Sequence, residues 1–159
     1  MEPRFETLTE KKLVGIHTRM SLANVKTPQL WGSFTPLQKD IKNRVSVDRY
    51  SLEVYDDISY FNNFNPAKEF EKWAAVEVTD FNSIPEVLDT ITLSGFYAVF
   101  IYKGAANEGA KAYQYIYADW LPKSGFVLDN RPHFALMGEK YKGNAPDSEE
   151  ELWVPVKPR

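Results

Sequence analysis

The chain contains no cysteine. That absence excludes disulfides, a thiolate nucleophile and every cysteine-based metal site. Histidine is scarce too, with His17 and His133 the only two in 159 residues. Neither belongs to a spacing such as H-E-x-x-H that gathers metal ligands, so both read as structural histidines. No metal and no cofactor is expected. The chain lacks a G-x-S-x-G nucleophile elbow and a phosphate-binding loop. Gly104, Ala105, Ala106 and Gly109 stand near a helix start, but their spacing is that of a turn. No apolar run approaches the roughly 20 residues of a membrane-crossing helix. The start, Met1-Glu2-Pro3-Arg4-Phe5, lacks the basic-then-apolar pattern of a signal peptide. A cytoplasmic location is the expectation that follows. A large charge of one sign is also missing. The 19 Lys and Arg against 22 Asp and Glu leave a formal net charge of −3. Such a chain has no electrostatic pull toward nucleic acid or anionic membrane, so neither is expected as a direct partner.

Aromatic residues are plentiful, with 9 Tyr, 10 Phe and 4 Trp. The apolar fraction of 43% is enough for one core, and residues 1–159 read as a single domain. Residues 5–20 read as a strand carrying Leu13, Val14 and Ile16. Thr27 reads as an N-cap with Pro28 at the first helical position. Leu30, Phe34, Leu37 and Ile41 then mark one helical face, with Pro36 dividing the helix. Strands are expected at 50–56 and 70–79, separated by a loop at Asn62, Asn63, Asn65 and Pro66. A long β-rich run covers 89–103. Asn107 reads as the cap of a helix in which Tyr113, Ile116, Tyr117 and Trp120 share a face, ended by Pro122 and Gly125. Strands at 132–141 and 149–156 complete the chain.

The order is strand, helix, strand, strand, twice. Glu71-Lys72-Trp73 echoes Glu151-Leu152-Trp153 at an offset of 80 residues, and Leu52-Glu53-Val54-Tyr55 aligns with Phe134-Ala135-Leu136-Met137 at 82. The helical segments Trp31–Ile41 and Tyr113–Trp120 match at the same spacing. Spacing of 80 to 82 residues, kept over half the chain, points to an internal repeat. The expected fold is α+β, a duplicated βαββ module with pseudo-two-fold symmetry, an antiparallel sheet and two main helices. The repeats cover about 5–80 and 89–157.

Four segments resemble the GyrI-like family, also known as the bacterial transcription activator effector-binding domain. They are Leu13-Val14-Gly15-Ile16, Ser51 to Asp56, Gly95 to Phe100, and the run from Trp120-Leu121-Pro122 through Arg131-Pro132-His133-Phe134 to Glu151–Pro155. The resemblance implies a ligand groove between the repeats, lined with aromatic rings. It implies a hydrophobic or aromatic small molecule as partner, and allows a protein partner such as DNA gyrase. The chain has no spare length for a DNA-binding domain, so a single-domain member is expected.

The same resemblance puts a glutamate after Arg-Pro-x-Phe, deep in the groove, where it pairs with cationic ligands. Here that position is Ala135. The change removes a central carboxylate, which weakens cation recognition. It also removes the acid or base that a hydrolase of strained-ring compounds would use. Glu53 stands at the equivalent place in the first repeat and shares a strand face with Tyr55, as Ala135 does with Met137. The expected ligand-binding residues are Trp31, Glu53, Tyr55, Tyr97, Tyr117, Ala135, Met137 and Trp153. Glu151 is a weaker candidate, read as part of a solvated acidic edge with Glu149 and Glu150. Phe34, Phe100 and Phe134 are assigned to the core. No residue is assigned a catalytic role. The expected function is effector or drug binding, with a strained-ring hydrolase and a gyrase-type interaction module as alternatives.

Overall fold

A computed structural model describes all of residues 1–159. Seven strands follow in order: β1 (Arg4–Met20), β2 (Arg49–Val54), β3 (Phe70–Val78), β4 (Asp89–Lys103), β5 (Phe126–Leu128), β6 (His133–Met137) and β7 (Glu149–Pro158). Every pairing is antiparallel. β4 pairs with both β1 and β7, so β1, β3, β2, β6, β7 and β4 close into a ring, with β5 on the end of β7. The pairing scheme maps onto itself when β1, β2 and β3 are exchanged for β4, β6 and β7. First strand pairs with third and third with second in each half, and the halves meet through β1–β4 and β2–β6.

Strand residues alternate between the two faces of this ring. Leu13, Tyr50, Leu52, Trp73, Leu93, Tyr97, Phe134 and Trp153 point inward and fill the ring as one buried cluster. The outward faces carry two further clusters. Val14, Ala74, Val76 and Val78 of β1 and β3 lie under Leu30 and Phe34 of α1 (Thr27–Phe34). Ala98, Phe100, Leu152 and Val154 of β4 and β7 lie under Ala112 and Ile116 of the second helix, together with Ala135 of β6. Each helix covers its own half. The outward faces of β2 and β6 lie between them, with Ser51, His133, Ala135 and Met137 buried.

The helices differ from expectation in detail. α1 starts at Thr27 itself, and the Thr27 hydroxyl turns to the Met20 sulfur at 3.5 Å instead of capping. Pro28 in the first turn sets the start without a side-chain cap. Pro36 does divide the helix, which tightens to a 3-10 turn over Thr35–Asp40. Asn107 is not a cap either. It lies in the short turn Ala106–Glu108, and its backbone N–H donates to the Asn144 side chain. The second helix is built from α2 (Ala110–Gln114), a π-helical turn (Tyr115–Trp120) and α3 (Leu121–Lys123). Such wide turns are frequent at functional sites. β6 stops at Met137, four residues short of the expected end, and the three-residue β5 is too short to have shown a period.

Candidate functional site

The floor between the helices is a strip of two paired strands. Arg49, Ser51 and Glu53 project from β2, and His133, Ala135 and Met137 from β6. Ser51 stands opposite Ala135, and Glu53 opposite His133. Glu53 faces Lys72 on the other neighbour, β3, and the Lys72 ammonium donates to its carboxylate at 2.9 Å. The two side chains are only 14% and 12% exposed, so the pair is largely removed from water. A carboxylate so placed is held by its partner, since burying it alone would be costly.

Four tyrosines lie close enough to this pair to feel the Glu53 charge. Tyr55 follows β2, Tyr60 comes from the 3-10 turn Ile58–Phe61, and Tyr113 and Tyr117 descend from the second helix. All four hydroxyls are pushed above their ordinary pKa, first by burial and next by the Glu53 carboxylate. They stay protonated and neutral at physiological pH. Glu150, at the start of β7, is pushed up by burial and by Glu53, while Lys72 pulls it down. Ala135 thus sits between two acids that neighbouring strands supply.

His133 is 4% exposed, and burial together with Arg131 lowers its pKa to about 3. Its Nδ1 lies 2.9 Å from the Tyr117 oxygen. With Tyr117 protonated and His133 neutral, the hydroxyl donates to Nδ1 in the tautomer that carries its proton on Nε2. Phe61 stacks on the His133 ring at 5.4 Å, and packs on Tyr117 at 5.1 Å and on Tyr55 at 4.8 Å. This end of the strip is filled by the chain's own rings. The other end carries Trp31 of α1 and Tyr141, with the Arg49 guanidinium between them.

Among the residues expected at the site, Glu53, Tyr55, Tyr117, Ala135 and Met137 come together on this strip, with Trp31 at its far end. Tyr97 and Trp153 do not join them. Both lie inside the ring, 5.6 Å apart, and the Tyr97 hydroxyl donates to the Pro132 carbonyl. Glu151 faces the ring side too, accepting from Trp153 Nε1 and from Arg4. Lys72 and Phe61 were not singled out, and His133 was read only as a structural histidine. Lys72 lies inside the Glu-Lys-Trp echo, which was the one signal that could have marked it.

The chain matches, over residues 1–157, the family described as the GyrI-like small molecule binding domain. It belongs to that family. The transcriptional regulator BrlR of Pseudomonas aeruginosa is 27% identical over 131 residues, which make up 80% of this chain and 45% of BrlR. The chain therefore spans less than half the length of that relative. The solved structure of SAV2435 bound to tetraphenylphosphonium superposes with a TM-score of 0.67 at 20% identity, covering 99% of this chain and 94% of the other. The EcmrR C-terminal domain gives 0.67 at 15%, covering 99% and 98%. At these identities the superpositions establish the shared fold. No helix of the GyrI-like chain is long and apolar enough to cross a membrane.

Proposed function

We propose that this GyrI-like domain binds flat, neutral or weakly charged aromatic compounds in the trough over β2 and β6, and that it works in the cytoplasm as one domain made of two copies of a βαββ unit, about 5–80 and 89–157. The observation that carries the reading is the Glu53–Lys72 pair within its ring of four tyrosines. Rings and protonated hydroxyls supply stacking and hydrogen bonding with little desolvation cost. The carboxylate already has its cation. A ligand such as the tetraphenylphosphonium of SAV2435 would have to compete with a tethered ammonium, so cations bind weakly here. The family's usual acid position, Ala135, adds nothing to attract them. The self-pairing of strands β1–β4 and β2–β6 supports the two-copy origin.

The test is a titration of neutral polyaromatic compounds, read by tryptophan fluorescence and thermal shift. Saturable binding that Tyr113→Ala and Tyr117→Ala weaken is expected. Absence of any saturable response across the panel would sink the proposal, as would binding that ignores both substitutions.

A further inference from the structure

The chain has six arginines. Five spend their guanidinium groups on carboxylates, carbonyls or a side-chain amide. Arg4 donates to Glu151, Arg19 to Asp56, Arg44 to Gln38 and two carbonyls, Arg131 to Asp129 and three carbonyls, and Arg159 to two carbonyls. Arg49 is different. Its guanidinium carbon lies 5.8 Å from the Trp31 ring centre and 5.4 Å from that of Tyr141. No carboxylate comes within ion-pair distance of it. The acids in this region, Asp48 beside it in sequence and Glu150 across the strip, leave it unpaired.

Ring contacts occupy the faces of a guanidinium and leave its in-plane N–H donors free. Those donors form a fork that matches a planar carboxylate or a sulfonate with two parallel hydrogen bonds. Arg49 is half-buried, held between two rings, and projects from the same strand face as Ser51 and Glu53. Four residues of strand put it about 13 Å from Glu53. Arg44 lies close enough to feel its charge, with Asp48 acting on Arg44 and Glu150 on Tyr141 in the opposite sense. The Glu53 end, by contrast, is internally neutralised by Lys72.

We propose that Arg49 is an anion-binding end of the trough, and that the preferred ligands are flat aromatic carboxylates or sulfonates. This rests on the trough being the binding site. The acidic group seats on the Arg49 fork between Trp31 and Tyr141, and the aromatic body lies along Ser51 and Ala135 toward the tyrosines.

The test compares two probes that share one ring system. 8-Anilinonaphthalene-1-sulfonate carries a sulfonate, and N-phenyl-1-naphthylamine is its uncharged counterpart. The folded protein is expected to bind the sulfonate about tenfold more tightly than the neutral probe. Arg49→Met should abolish that preference, with circular dichroism and thermal unfolding confirming the fold. Lys157→Met, at a separate apolar cleft of about 340 Å³ lined by Phe96 and Phe126, should leave the preference intact. Equal binding of both probes, or a preference that survives Arg49→Met, overturns the anion end while leaving the trough in place. If neither probe saturates, the trough and its anion end fail together.

Discussion

The Lys72 ammonium stands 2.9 Å from the Glu53 carboxylate, from directly opposed positions on adjacent strands. This pair sets the charge balance of the proposed site. Removing the lysine leaves a carboxylate among neutral tyrosines with no partner. Lys72→Met should cost about 3 kcal/mol at pH 7 by urea unfolding, because an uncompensated buried charge remains. The same variant should bind tetraphenylphosphonium about tenfold more tightly by calorimetry, since one charge-assisted contact becomes available. Adding Glu53→Gln should erase the gain. Unchanged affinity in Lys72→Met would show that Glu53 does not face the ligand.

Ala135 stands between Glu53 and Glu150. An acid there creates a third carboxylate in a region where burial already pushes Glu150 up. Mutual repulsion raises the folded-state pKa values, so the unfolded chain holds fewer protons than the native one at neutral pH. Ala135→Glu should therefore destabilise more at pH 8 than at pH 5. A constant penalty across that range would mean the new side chain escapes to solvent.

Much of the fold was legible because the strands are long and their turns well marked. β4 was read at its true limits, 89–103, from its continuous β-rich run. The two Glu-x-Trp echoes also have a structural counterpart. Trp73 Nε1 donates to Glu71 at 2.5 Å, and Trp153 Nε1 to Glu151 at 2.9 Å. The site was half legible. Alternation put Glu53 with Tyr55, and Ala135 with Met137, on common faces. It could not tell which face of a strand buried on both sides looks into a closed ring. Tyr97 and Trp153 were grouped with Glu53 and Ala135 for that reason, yet they face into the ring, since β4 and β7 are apolar on both faces. Phe61 was invisible because its role depends on a long connection folding back over β6, and no local period records that.

His133 carries a pH signature. Its pKa of about 3 in the fold lies below the ordinary histidine value near 6.5. The unfolded chain therefore takes up a proton that the native site refuses. Stability from this group is complete above pH 6.5 and is lost as pH falls toward 3, at about 1.4 kcal/mol per unit. Between pH 7 and pH 5, the wild-type protein should lose about 2 kcal/mol more than His133→Gln in urea titrations. Parallel pH profiles would contradict the burial of a neutral imidazole.

In the proposed site, Phe61 occupies the place a flat ligand would take. It touches Tyr55, Tyr117 and His133 at ring-stacking distances, yet it belongs to a four-residue turn with no fully buried side chain. An incoming ring must displace it, and each lost aromatic pair costs about 0.5–1.5 kcal/mol. Phe61→Ala removes this internal competitor. The variant should lose about 1–2 kcal/mol of stability, less than a fully buried phenylalanine would. Its affinity for N-phenyl-1-naphthylamine should rise by about tenfold, as those pairs no longer have to be broken. Weaker binding in Phe61→Ala would make Phe61 a wall of the site instead of its resident occupant, and would require the ligand to stack against it.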